Sequence, residues 1–428
     1  MVKFLYGLFI LSPAFILVIP HGHSLLPAVL SMVGLAFMSK PRIAKELIFN
    51  SPCASSWTLL LLSYSIFVLI GILVGIWHGN HLGYYEMFVP FFVAPFLGFM
   101  IVKLRWSPNW WFLSLGFGSL FSGVLATYQV FLDNIDRAYG AIGNPIPFGN
   151  IAVVLASICF VVALVFPFPS HVSKSARVFL IISGFGGVLA SLLSGSKGGW
   201  PSLLVLFLTV IYLLYHRMTP KVWCRISSFL LFALIALFSL LPEKVVFDRL
   251  SDGIRGGWHW IQTGKVSEGS VSMRFEIWRL SKDIISERPV LGHGSVGSQN
   301  RFRDLINSGG YDAALVSLIE NNPKFTTSDN EILNTLRLSG FVGLVALLAV
   351  YFGTWLTFWQ WKNHADLVVR TCSLLGLLIV IQYLEFGISV SVLGTSAFRS
   401  SFVVFSVILI SFITVRLNYL NMKNSCLS

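Results

Sequence analysis

Apolar runs alternate with short polar breaks over most of the 428-residue chain. The runs have the length that a bilayer core demands of a helix, roughly 17–25 residues. They predict spans near 4–19, 24–39, 57–77, 84–104, 110–132, 147–166, 176–193, 199–215, 223–241, 332–358, 367–387 and 399–416. The first run has only Lys3 as a basic flank and no small-residue cleavage site behind it, so it reads as a span rather than a cleaved leader. The 24–39 run is short for a full crossing, and a re-entrant segment there would invert everything after it. One stretch interrupts the rhythm: 242–330 is polar and too long for a simple connection. The pattern therefore describes an all-α polytopic membrane protein of about twelve helices, divided as 1–241 (helices one to nine), 242–330 (a large, partly helical outer loop domain) and 331–428 (helices ten to twelve).

Composition agrees. The chain is 55% hydrophobic and 11% charged, with a mean hydropathy of +0.78; a soluble domain carries about 25% charged residues. The net charge of +12 would suggest nucleic acid in a soluble protein, but its distribution suggests a membrane anchor. With the N-terminus inside, fifteen Lys/Arg residues fall on inner segments and three (Arg137, Lys197 and Arg399) on short outer loops. That is the positive-inside asymmetry, and it supports an even span count with both termini cytoplasmic. The remaining twelve lie in 242–337, where twelve Asp/Glu balance them. None of the five cysteines falls in an outer loop on this topology, and no Cys or His cluster suggests a metal.

Within the long loop, Phe275, Trp278, Ile284 and Ile285 recur at helical spacing and predict a helix over 272–287, with Ser270 or Ser272 as its cap and Pro289 beyond its end. Gly292, Gly294 and Gly297 predict a turn-rich stretch after it. Three outer cations stand apart from the cytoplasmic anchors: Lys197 in SGSKGGW, Arg274 in SVSMRFEIW and Arg137 in DNIDRAYG. Such a cluster suits an anionic head group such as a lipid diphosphate. Each is equally readable as a solvated interface residue. Gly195, Gly198 and Gly199 would let backbone N–H groups approach a phosphate, although small residues at a helix break also serve ordinary packing. Asp329 and Glu331 open the tenth span; Asp329 reads either as its N-cap or, like Glu331, as a general base. His293 and His259 are alternatives in the same loop. Trp258, Trp260, Tyr311 and Phe325 read as sugar-stacking platforms or as an interfacial belt.

In this order, four segments resemble the O-antigen ligase and O-antigen polymerase family of bacterial envelope enzymes: RAYGAIGNPIPFGN, SGSKGGW, MRFEIWRLSKDIISERPVLGHG and DNEILNTLRLSGFVGL. The third is the most specific, and the motifs cover residues 137–343. The resemblance implies a metal-independent, cofactor-free glycosyltransferase with a GT-C-like fold in the bacterial inner membrane, its active site facing the periplasm. The donor would be a glycan on undecaprenyl diphosphate and the acceptor lipid A–core, for a ligase, or another lipid-linked glycan, for a polymerase. Besides these and membrane lipids no partner is implied, and no nucleic acid. Carried over, Arg274 and Lys197 would hold the diphosphate with help from Arg137. Asp329 or Glu331 would act on the acceptor, and His293 and Arg279 would be accessory. This chain departs from the pattern twice: Lys197 stands where the family usually has Arg, and Asp329 stands where ligases have the His of His-Asn-Glu. The second departure raises the polymerase reading. From another class, twelve spans also suit a transporter or flippase, but few charges fall mid-span, where transporters place theirs.

Overall fold

The computed structural model describes residues 2–37, 48–215, 228, 243–267, 270–321 and 327–425. In chain order the helices are α1 (Val2–Leu11), α2 (Leu25–Phe37), α3 (Ala54–Trp77), α4 (Val89–Leu104), α5 (Pro108–Phe131), α6 (Pro145–Val165), α7 (Ser173–Ser194) and α8 (Trp200–Tyr215). Then come α9 (Glu243–Thr263), α10 (Ser270–Glu287), α11 (Gly294–Asn307), α12 (Ala313–Asn321), α13 (Glu331–Trp359), α14 (Leu367–Phe386) and α15 (Ser396–Ser425).

The chain is an all-helical polytopic membrane protein. Among the described residues, nine helices are long and apolar enough to cross a membrane, and each coincides with a run that the sequence pattern marks as a span. The runs at 4–19 and 24–39 form shorter apolar helices, and the ninth expected span, 223–241, lies outside the described residues. Helix α6 is the hub. It packs against α5, α7, α8, α14 and α15, and 94% of its most apolar window is buried. Its sequence, PIPFGNIAVVLASICFVVALV, is apolar on every side because every side faces another helix. Helix α13 runs along α3, and α15 along α4.

The segment between α8 and α13 is more helical than its sequence suggests. The helix expected over 272–287 is α10, with Pro289 beyond its end, but three more helices accompany it. Ile277, Leu280 and Ile284 of α10 meet Phe302 and Ile306 of α11 and Leu315 and Ile319 of α12 in a small core of their own. The glycine-rich stretch is also different: Gly294 and Gly297 begin α11, and only the residues before them make a turn. Ser272 lies inside α10, where its hydroxyl donates to the Ser267 carbonyl.

The glycine-rich stretch has a structural task. Helix α13 is broken at Gly340, whose φ of 62° no β-branched residue adopts comfortably. The break frees backbone groups that a continuous helix would have used internally. Phe341 N–H donates to the Pro289 carbonyl (2.8 Å), Val342 N–H to the Val290 carbonyl (3.2 Å), and His293 N–H to the Arg337 carbonyl (3.0 Å). A side chain at Gly340 would place its Cβ 2.2 Å from the Val290 oxygen. The loop joining α3 to α4 holds the other side of the stretch, with His78 Nε2 at 2.9 Å from the Leu291 carbonyl and Asn80 accepting from Ser295 N–H at 2.9 Å. PVLGHG is thus a joint between the helices of 243–321 and two spans, made by main chain toward α13 and by the His78 and Asn80 side chains toward α3.

Candidate functional site

The N-terminal end of α13 is built by four consecutive residues, Thr327 to Asn330. Thr327 Oγ1 accepts from Asp329 N–H at 3.2 Å. Ser328 Oγ is held by the Ser281 hydroxyl (2.9 Å) and by Arg337 Nε (3.2 Å). Asn330, not Asp329, is the N-cap: its Oδ1 accepts from Leu333 N–H at 3.0 Å. Asp329 has a left-handed backbone, φ 46°, a conformation that Asp tolerates better than most residues. Its neighbours take over the capping, and its carboxylate forms an ion pair with Arg274 at 3.9 Å.

Glu331 has a different setting. It is buried, and its Oε2 accepts from Leu393 N–H at 3.2 Å, while its own N–H donates to the Gly387 carbonyl at 2.7 Å. Arg399 grips the same residue through its carbonyl, donating from Nη1 to the Leu393 oxygen at 2.6 Å. Glu331 therefore fastens the connection between α14 and α15 to the start of α13.

Arg137, Lys197, Arg274 and Asp329 line one cavity of about 260 Å³. They come from the loop before α6, the break between α7 and α8, helix α10 and the turn before α13. Arg137 donates from Nε to the Ser194 carbonyl at 2.9 Å and so neutralises the C-terminal end of α7 as well as facing the cavity. Lys197 lies against α9, where a Cβ on Gly253 would come 3.3 Å from its Nζ. The glycines of the break serve close packing. Gly195 ends α7 in a left-handed turn, and Cβ atoms at Gly198 and Gly199 would collide with Ser389 and Asn150. Three cations against one carboxylate make the cavity a natural receptor for an anion.

A larger cavity of about 610 Å³ adjoins it, and Ile146 and Asp329 line both. Glu86, Glu331, Arg337 and Arg399 are on its wall. Arg337 is 1% exposed and its guanidinium is occupied by Ser298, Ser328 and Asn334, with Phe302 beneath it. Sequence reasoning passed over Glu86, Arg337 and Arg399. The available signal was the spacing of Glu331, Asn334 and Arg337 along one helix, and a lone arginine in the small-residue stretch TSAFRSS.

His293 and Arg279 line neither cavity. His293 is buried beneath the joint with its Nε2 at 2.9 Å from the Ile284 carbonyl, and burial lowers its pKa. Arg279 donates to Glu276 and to the Gly310 carbonyl and covers the Tyr311 ring. Trp260 donates to Glu276, and Tyr311 to Asp283. His259 and Trp258 are exposed on α9, and Phe325 lies outside the described residues.

Burial raises the pKa of the Asp329 carboxyl, against the opposing pull of Arg274 and the Thr327 hydroxyl. Burial likewise lowers that of the Arg274 guanidinium, while Asp329 supports its charge.

These features define a multi-pass membrane protein with a polar, cation-rich site at one end of its helices. Residues 179–348, from α7 to the middle of α13, match the family described as O-antigen ligase. An uncharacterized protein of Haemophilus influenzae is 23% identical over 396 residues, covering 92% of this chain and 93% of its own length.

Proposed function

We propose that this protein is an inner-membrane glycosyltransferase that moves a glycan from undecaprenyl diphosphate to an acceptor sugar at the periplasmic face, in the manner of an O-antigen ligase. The observation that carries this reading is the meeting of Arg137, Lys197 and Arg274 with Asp329 around one cavity. The acceptor hydroxyl oxygen bonds to the anomeric carbon as the bond from that carbon to the diphosphate oxygen breaks. The electron pair leaves with the diphosphate, and Arg274 and Lys197 stabilise its growing charge. The hydroxyl proton passes to the Asp329 carboxylate. Glu331 is left out of the chemistry because its carboxylate is committed to Leu393 N–H. A polymerase acting on a second lipid-linked glycan is the other reading, favoured by Asp329 standing where the ligase pattern has His.

Deleting the gene tests both readings. Loss of attached polysaccharide with long lipid-linked chains accumulating marks a ligase; core bearing a single repeat marks a polymerase; an unchanged glycan profile overturns the proposal. The proton-transfer step has a second consequence. A base works only when deprotonated, so kcat/KM should fall as the pH drops through the Asp329 pKa. Because burial raises that pKa, the midpoint of the acid limb should lie above the ordinary aspartate value of 3.8. A limb centred at or below 3.8 would remove Asp329 as the proton acceptor.

A further inference from the structure

The larger cavity holds polar groups that the fold itself does not use. Folded proteins match nearly all of their buried polar groups, and most of this cavity's wall obeys: Glu331, Asn334, Ser391 and Arg337 are all hydrogen-bonded to one another's segments. Four lining groups differ. Among the described residues, Nε of the buried Arg399 has no hydrogen-bond partner, and the side chains of the exposed Glu86 and the half-buried Gln299 and Thr335 make no hydrogen bond within the fold and stand open to a ligand, with Glu86 attracted electrostatically to Arg399. They come from four separate elements: the 3-10 turn Leu82–Phe88, α11, α13 and α15.

We propose that the larger cavity is the acceptor subsite and that Glu86 and Gln299, with Thr335 and Arg399 Nε, recognise the hydroxyl groups of the acceptor's terminal sugar. A carboxylate, an amide, a hydroxyl and a guanidinium N–H together offer both donors and acceptors, which is the pattern that sugar hydroxyls need. Tyr84 on the same wall supplies an apolar surface for the C–H face of the ring. The volume, about 610 Å³, lies in the range of small-ligand sites, about 300–1,000 Å³. Asp329 lines this cavity as well as the cationic one, so a hydroxyl bound here meets the same carboxylate that faces the diphosphate. The assignment rests on the transferase reading. It adds that acceptor choice is made on α11 and on the α3–α4 connection, away from the three cations.

The test uses the full-length protein in detergent. The donor is labelled lipid-linked glycan extracted from a strain lacking the gene, and the acceptor is lipopolysaccharide of that strain. Glu86→Gln and Gln299→Ala should each raise the acceptor KM about tenfold, the loss expected for one good hydrogen bond to a ligand. The donor KM should stay within about twofold, and the thermal midpoint should match the wild type because neither side chain holds the fold together. Unchanged acceptor KM in both variants, or a donor KM that rises in step, overturns the assignment. Wild-type protein that releases no lipid diphosphate from the donor overturns the transferase reading and takes this assignment with it.

Discussion

Arg274→Ala should cut glycan transfer by about 10²–10³-fold, the usual cost of removing one preorganised group that stabilises developing charge. Arg274 is the side chain that joins the two halves of the site, because it lines the cationic cavity and forms an ion pair with Asp329 at 3.9 Å. Its loss removes a cation from the leaving diphosphate. It also removes the charge that holds the Asp329 pKa down, so the acid limb of the variant's residual activity should move to higher pH. Arg274→Lys keeps a point charge but not the paired N–H geometry, and should retain part of the rate. The protein should remain in the membrane fraction, since α10 packs through Ile277, Leu280 and Ile284 and not through Arg274. Long surface polysaccharide at wild-type amounts in the Ala variant would sink the proposed chemistry.

Gly340→Val should separate the helices of 243–321 from the membrane spans. The new Cβ would lie 2.2 Å from the Val290 oxygen and 2.3 Å from its carbonyl carbon, at a φ that strains a branched side chain. The strain alone costs about 1–3 kcal/mol. The three backbone hydrogen bonds that cross the joint each add about 1 kcal/mol when lost. The expected readout is rapid protease cleavage within 243–321 while the spans stay protected, together with lost transfer, because Leu338 and Ser339 beside the break line the larger cavity. Wild-type protease resistance would mean that the joint does not hold these helices.

The spans were legible because a bilayer imposes one simple requirement, a long apolar run, and the nine long helices meet it. The helices of 243–321 were less so. Their sequences are about half polar, and glycines interrupt the helical period: Gly294 and Gly297 read as turn residues yet begin α11, and Gly253 in α9 makes room for Lys197. At the site, Arg137, Lys197, Arg274 and Asp329 stood out because they are charges that membrane anchoring does not explain. Glu86, Gln299, Thr335 and Arg399 did not. Glu86, Thr335 and Arg399 resemble ordinary residues at the end of a span and Gln299 an ordinary polar residue of a loop helix, and only the folded chain brings them to one cavity. Of the two readings open for Asp329, the cap fails although Asp and Asn are equally good at that position; the left-handed turn at Asp329 passes the task to Asn330.

Where PVLGHG meets α13 the joint is made of peptide groups, with glycines at 292 and 340 where the two segments touch. A contact between main chains carries no demand on neighbouring side chains beyond their small size. Such a seam can outlast extensive sequence drift on either side of it. The helices of 243–321 and the spans are then joined at this edge by backbone geometry and little else.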